Sequence, residues 1–348
     1  MRRYTYELFG ALARLDPSLT IVAVGPPSGS GIPERIERVQ PAVSLPTNLG
    51  WMLTGLPLTA RRAGVHAFHA PAYTIPVGIR PVVVTIHDVS YARHPEWYPY
   101  KRDPVRRAFY RHSAVTADRI ITDSTFSKSE IVAAYDVRPE TIDVVPLAAA
   151  AAFTPGPRLP LPAAYPPRFV LHVGDLHARR NLEMVARALQ SVRARNRSLQ
   201  DVALVVAGVD RGAGAALITL SARAGGSPLV VFARTVDDAS LLALYRSASA
   251  LVYPSRYEGF GLPLLEAMSV GVPVIAASAS SIPEVTGDAA VLIDPDDEAA
   301  WADAIERTLD DGSRAETMRA ASKTRAAQFS WDRTARETAA VYRKLLGS

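Results

Sequence analysis

Short apolar runs alternate with amphipathic, helix-length segments along this chain, the pattern of parallel sheets covered on both faces. The runs predict strands at 20–24, 65–69, 82–87, 119–122 and 142–145, then at 169–173, 202–207, 229–232, 250–253, 274–277 and 290–293. Between the two series, from Pro155-Gly156-Pro157 to Pro166-Pro167, proline density marks a linker. One domain is therefore expected at 1–157 and a second at 158–330. Ser127 with Glu130 reads as a capping box for the helix after Asp123. Ser330 caps a last helix over 331–348, whose Trp331, Ala335, Ala339, Tyr342 and Leu346 fall on one stripe.

Composition narrows the class. The 348 residues are enough for two cores, and the absence of cysteine excludes disulfides, a thiol nucleophile and a Cys-type zinc site. No run of about 18 apolar residues occurs and the start lacks an apolar leader segment, which fits a cytoplasmic α/β enzyme. Residues 1–157 carry 17 basic against 13 acidic side chains, and residues 158–348 carry 22 against 21. The excess gathers in Lys101, Arg102, Arg106, Arg107 and Arg111, interleaved with Val105, Phe109 and Tyr110. Such a helix is either a solvated face or a peripheral contact with anionic lipid, on the inner face of the plasma membrane, or with an anionic acceptor. Nucleic acid is not expected as a partner, since the excess is small and no binding motif accompanies it.

The densest chemistry lies between Tyr257 and Ile282. A strand over 250–253 runs into Pro254-Ser255-Arg256-Tyr257, then an acid, Glu258, then the bend Gly259-Phe260-Gly261-Leu262 and a helix opened by Pro263. Gly271 and Pro273 close that helix, and a second acid, Glu266, is expected in its first turn. A free helix N-terminus, glycines that admit a ligand and two carboxylates suit an anion that also carries hydroxyls, such as a diphosphate with a ribose. An ordinary buried helix with an acid near its N-terminus is the plain alternative.

Glu258-x7-Glu266 in this setting resembles the signature of retaining glycosyltransferases of family 4, and the likeness runs over nearly the whole chain, through Pro283-Glu284-Val285 and Ile293-Asp294-Pro295. It implies a GT-B fold of two Rossmann-like, doubly wound parallel-sheet domains facing a cleft. The terminal helix would cross back onto the first domain, and the nucleotide sugar would be held by the second. It also implies that Glu258 contacts the donor sugar and Glu266 the ribose. The turn Asp175-Leu176-His177-Ala178-Arg179-Arg180-Asn181 follows a strand, and its two arginines would face the diphosphate beside the helix N-terminus. Relatives usually have lysine where Arg180 stands, and guanidinium and ammonium differ in geometry. Asn181 is placed to cap the next helix. At the end of the 82–87 strand, His87 matches a family histidine that reaches the donor sugar, with Asp88 orienting it or capping the turn; a structural histidine is the competing reading. His66 and His69 read as structural.

Some expectations are negative. Asp294-Pro295-Asp296 has the spacing of a metal–diphosphate motif but sits where the chain turns into a helix, so no metal and no cofactor beyond the nucleotide-sugar co-substrate are expected. Pro146-Leu147-Ala148-Ala149 stands where relatives usually show a glycine, which narrows the backbone there. Arg3-Tyr4-Thr5-Tyr6-Glu7-Leu8 resembles the first helix of the family, ordinarily preceded by a strand and a glycine-rich loop. The first domain is thus expected to lack its first strand and to leave a gap beside residues 82–86 and 20–24. The start and the His-Asp turn resemble relatives that build surface polysaccharide or polyprenyl-linked glycans. GDP-mannose is the favoured donor and a glycan or lipid-linked acceptor is implied. A UDP-sugar enzyme or a non-catalytic nucleotide-sugar-binding subunit are the alternatives.

Overall fold

The computed structural model describes residues 2–15, 20–24, 36–43, 50–98, 103–223 and 227–347. The chain divides into two compact units, Met1–Leu147 with Ser330–Ser348, and Ala148–Phe329.

In the first unit, α1 (Arg2–Leu15) is followed by β1 (Val22–Val24), which pairs in parallel with β2 (Glu37–Val39). A π-helical turn at Trp51–Gly55 runs into α2 (Leu56–Arg62). Then come β3 (Phe68–Ala70), β4 (Val82–Thr85), α3 (Ser90–Arg93), α4 (Pro104–Thr116), β5 (Arg119–Thr122), α5 (Thr125–Tyr135) and β6 (Ile142–Val144). Strands β3 to β6 form a four-stranded parallel sheet in chain order, separate from β1–β2. The gap expected beside residues 82–86 is not there, since β4 pairs with β3 on one side and β5 on the other, whereas β1, the strand at residues 20–24, pairs among the described residues with β2 alone. Strand β2 escaped the sequence pattern because Glu37 and Arg38 are charged and exposed.

The central strands β4 and β5 are mostly apolar because both faces are covered. Val82, Val84 and Ile120 pack on one side with Ile86, Ile131 and Ile142. Val83 and Ile121 point to the other side, as the two-residue period of a strand demands.

The second unit contains β7 (Phe169–Val173), α6 (Leu182–Arg195), β8 (Ala203–Ala207), α7 (Gly214–Arg223), β9 (Val230–Arg234), α8 (Asp238–Ser247), β10 (Ala250–Tyr253), α9 (Leu262–Val270), β11 (Val274–Ala277), α10 (Ile282–Thr286), β12 (Ala290–Ile293), α11 (Glu298–Asp310) and α12 (Gly312–Ala326). Its six parallel strands run in the order β12-β11-β10-β7-β8-β9. From β7 the chain builds outward through β8 and β9, then returns to place β10 on the other flank. The β7/β10 pair is therefore the point where strand order reverses, and open parallel sheets hold their ligands just beyond the carboxyl ends at such a point.

The terminal helix α13 (Trp331–Leu346) belongs to the first unit. Ser330 Oγ accepts from Arg333 N at 3.2 Å, and Thr334 Oγ1 donates to the Pro146 carbonyl at 2.7 Å. Val341 covers Val83 and Ile121, while Leu346, the last residue of the apolar stripe, is exposed. The boundary falls at Leu147 and Ala148, not at 157, because the segment that follows already lies on the second unit. Phe153 meets Tyr245 edge-on with ring centres 5.6 Å apart, and the Arg246 guanidinium donates to the Thr154 carbonyl. Among the described residues no helix is long and apolar enough to cross a membrane.

Each unit buries one neutral histidine. His69 lies between the Tyr342 hydroxyl (2.6 Å) and Thr85 Oγ1 (2.7 Å), and Thr85 also bonds Tyr4. His172 bonds the Val252 carbonyl through Nδ1 and stacks on Tyr253. Burial pushes both imidazoles down from 6.5 to about 3, with the Arg180 charge adding to the effect at His172. The unfolded chain takes up a proton on each below pH 6.5, whereas the folded chain does not until about pH 3. Stability is therefore complete above about pH 6.5 and falls as the solution is acidified, by about 1.4 kcal/mol per pH unit per histidine. Between pH 6.5 and 5 each should cost about 2 kcal/mol. Denaturant unfolding at both pH values should show this loss, with the slope of stability against pH reduced in His172→Phe.

Candidate functional site

At the carboxyl end of β10 the chain turns through Pro254–Tyr257 to Glu258, and Gly261 then adopts φ 98° before α9 begins. A side chain would be strained there, and its Cβ would stand 2.8 Å from Leu264 Cδ1, so glycine is needed. Leu262 is the first helical residue and Pro263 the second. Glu266 consequently lies in the second turn, not the first, and is only 2% exposed. Its Oε2 accepts from the Tyr245 hydroxyl at 2.9 Å, a residue of α8 that local sequence does not connect to it.

The Glu258 loop is pinned from both sides. Its amide donates to Ser280 Oγ at 2.9 Å, and Ser281 Oγ donates to the carbonyls of Glu258 (2.9 Å) and Phe260 (3.2 Å). Phe260 packs edge-on against Phe329, and Gly259 is buried. These hydroxyls use up the backbone polarity of the bend, as a buried turn requires.

Two arginines meet the Glu258 side chain. After β7 the chain enters a single 3-10 turn, Ala178–Arg180. Arg180, 9% exposed, donates through Nη1 to Glu258 Oε1, to the Tyr253 hydroxyl and to Ser255 Oγ (3.1 Å), with its guanidinium over the Tyr253 ring. Arg179 Nη1 donates to the Tyr257 carbonyl at 2.7 Å and lies 3.5 Å from Glu258 Oε2. The two turns are also joined by Arg256 N donating to the Arg179 carbonyl. Burial, with Glu258 nearby, pushes the Tyr253 hydroxyl up, so it stays neutral as it accepts from Arg180. Asn181 does not cap α6: it takes a left-handed conformation and donates to the Pro295 carbonyl instead. Asp296, of the Asp-Pro-Asp turn, pairs with Arg256.

His87 lies in the other unit, just past β4. Its Nδ1 meets Asp123 Oδ2 at 2.7 Å, and Asp123, directly after β5, is 2% exposed. Burial raises the Asp123 carboxyl and His87 partly offsets this. Tyr4 presents its ring edge-on to the imidazole at 4.8 Å. With the carboxylate accepting, Nδ1 donates to Asp123, and Nε2 is buried with no partner among the described residues. Asp88 does not orient His87; it caps the turn, accepting from Ser90 N and Oγ. The cap of α5 is Ser124, whose Oγ accepts from Ser127 N, so Ser127 and Glu130 form no capping box. Ser127 Oγ bonds the His87 carbonyl and Glu130 pairs with Arg93. Sequence reasoning missed Asp123, although an acid immediately after an apolar strand sits where such sheets hold ligands.

Lys101 and Arg102 of the basic stretch lie outside the described residues. In α4 the rest divides: Arg106 pairs with Asp103, Arg111 donates to the Tyr135 carbonyl, and Tyr110 stacks on Tyr73 in the core.

Comparison with known proteins agrees in both units. Residues 161–325 match the family of glycosyl transferases group 1, and residues 1–150 match glycosyltransferase family 4. The chain is 32% identical over 286 residues to an O-antigen chain mannosyltransferase B of Escherichia coli, covering 80% of this chain and 74% of that one. It is 31% identical over 285 residues to a D-inositol 3-phosphate glycosyltransferase of Salinispora tropica, covering 75% of this chain and 58% of the relative. Among solved structures, a sucrose-phosphate synthase of Thermosynechococcus elongatus superposes with a TM-score of 0.75 at 21% identity over 99% of this chain and 93% of that one. WaaG, a glycosyltransferase involved in lipopolysaccharide biosynthesis, gives 0.72 at 17% identity over 100% and 96%.

The unequal roles of the two arginines can be measured. Arg180→Ala removes the main partner of a carboxylate that is almost wholly buried, and should cost about 2–4 kcal/mol of stability. Arg179→Ala leaves Glu258 paired and should cost less than about 1 kcal/mol. Urea unfolding of the two variants tests this; equal losses would show that Glu258 does not depend on Arg180.

Proposed function

The chain belongs to glycosyltransferase family 4, and from that premise we propose that it moves a mannosyl group from GDP-mannose to a glycan or polyprenyl-linked acceptor, with retention of configuration. The observation that carries the reading is the joining of Arg179, Arg180 and Glu258 at the carboxyl ends of the two central strands, with Glu266 one helical turn further on. In this reading the guanidinium groups take the diphosphate, where paired N–H donors match phosphate oxygens. Glu266 accepts from the ribose hydroxyls, with Tyr245 holding its carboxylate in place. Glu258 fixes the arginines before substrate arrives and faces the sugar.

Reaction on the face of departure would break the bond from the anomeric carbon to phosphate oxygen while the acceptor oxygen bonds that carbon. The leaving phosphate would accept the acceptor's proton, so no titrating base is required. The protein then supplies position and charge stabilisation. His87, held through Nδ1 by Asp123, is assigned to accept from a substrate hydroxyl through Nε2, a buried atom without a partner among the described residues. The mannosyl preference is supported by the E. coli mannosyltransferase relative.

Turnover of GDP-mannose measured against UDP-glucose and UDP-galactose, with the product's anomeric configuration read by NMR, tests the proposal. Release of GDP with retained configuration is expected, and turnover of UDP-sugars alone would overturn the donor. Glu266→Ala should weaken nucleoside diphosphate binding by about 2–4 kcal/mol in calorimetry, through lost charge-assisted bonds to ribose. Unchanged affinity would remove Glu266 from the site.

Asp123→Ala frees the His87 ring without touching the nucleotide-holding unit. A kcat lower by up to about 100-fold with nucleoside diphosphate affinity unchanged is expected, the usual effect of a misplaced contact at the reacting centre. A kcat equal to that of the parent would show that His87 needs no orientation.

A further inference from the structure

We propose that the second unit carries a separate binding site for a single phosphate group at the carboxyl end of α9. A cavity of about 160 Å3 opens there, and Arg158, Arg246, Arg319 and Lys323 line it together with Tyr245 and Gly156. No carboxylate lines it. Arg319 and Lys323 stand four residues apart on α12, neighbours on one helix face, where like charges repel unless an anion lies between them. Among the described residues Arg158, Arg319 and Lys323 enter no ion pair and no side-chain hydrogen bond, so their donors are free for a ligand.

The fourth charge is fixed in place. Arg246 donates to the Thr154 carbonyl through Nε (3.1 Å) and Nη2 (3.0 Å) and to the Pro155 carbonyl (3.3 Å), which leaves Nη1 for a ligand. Gly156 makes this possible, since a Cβ at that position would stand 2.6 Å from Arg246 Cζ. Convergent guanidinium donors with an added ammonium suit a phosphate dianion, which accepts on several oxygens at once. The volume is below the about 300–1,000 Å3 of sites that bury drug-sized ligands, so the ligand presents a phosphate group and not a whole nucleotide. Nine residues of α9, about 13 Å of helix, separate this end from the Gly261 bend, so the cavity is distinct from the site at Glu258.

The phosphate can come from a soluble monoester or from a lipid headgroup, and the test separates the two. Calorimetry with inorganic phosphate compares the full chain, the double variant Arg158→Ala/Arg319→Ala, and Arg179→Ala as a control. With nucleoside diphosphate present to fill the site at Glu258, phosphate should bind the parent and the Arg179→Ala chain alike and bind the double variant at least about tenfold more weakly. Nucleoside diphosphate binding by the double variant checks that the unit is folded. In the second arm, sedimentation with phosphatidylglycerol vesicles against phosphatidylcholine vesicles reads the lipid source. Co-sedimentation lost in the double variant assigns a headgroup, and free-phosphate binding without it assigns a soluble ligand; either supports the site. Equal phosphate affinity in parent and double variant, loss confined to Arg179→Ala, or no binding in either arm would overturn it.

Discussion

A carboxylate that is nearly excluded from water cannot stay ionised without partners, and the second unit is arranged around that constraint at Glu258. Its two oxygens are met by Arg180 and Arg179, which arrive from the turn after β7 while Glu258 arrives from the turn after β10. The pairing needs those strands to be neighbours in register, as the Ala250–Val170 and Leu251–Leu171 partners make them. It also needs both turns held: Ser280 and Ser281 fix one, and the backbone bond from Arg256 to Arg179 ties it to the other. The fully buried apolar strands supply most of the stability. The ion cluster contributes a defined geometry at their ends rather than net stability, since desolvation offsets much of its Coulomb gain.

The first unit solves a similar problem with less charge. His87 and Asp123 stand at the ends of adjacent strands β4 and β5, paired through Thr85 and Ile121 in the sheet. Asp123 is almost wholly buried and finds one partner, the imidazole, whose tautomer is thereby set. In the same unit, His69 is held neutral between Tyr342 and Thr85 and belongs to the packing. Position along the strand separates the two: His69 is within β3, and His87 lies beyond the end of β4. Each cluster stands at the carboxyl ends of parallel strands, where open α/β sheets hold their ligands.

Much of this was legible in the residues alone. The strands at Arg119–Thr122, Phe169–Val173, Ala250–Tyr253, Val274–Ala277 and Ala290–Ile293 have the bounds read from the apolar pattern, and in the second to fourth of these burial of every residue leaves a continuous run that turn residues end sharply. The bend at Gly261, the proximity of Glu258 to the α9 N-terminus and the arginine pair after β7 were readable because each is local, decided within a few residues by steric and capping rules. Strand β2 was not, because exposed Glu37 and Arg38 break the pattern and its pairing with β1 is a long-range fact.

Tertiary structure alone decided who partners whom. The sequence determined two parallel α/β units, the family and the residue types gathered at the strand ends. It could not determine that Asp123, and not the adjacent Asp88, orients His87, or that Ser124 rather than Ser127 caps α5. Nor could it place Tyr245 on Glu266, or both arginines on Glu258, contacts that span 21 to 79 residues of chain. The physical reason is one of range. Turns and helix caps are settled by backbone sterics over a few residues, whereas a buried polar group takes whichever partner the strand order and helix packing bring within about 3 Å.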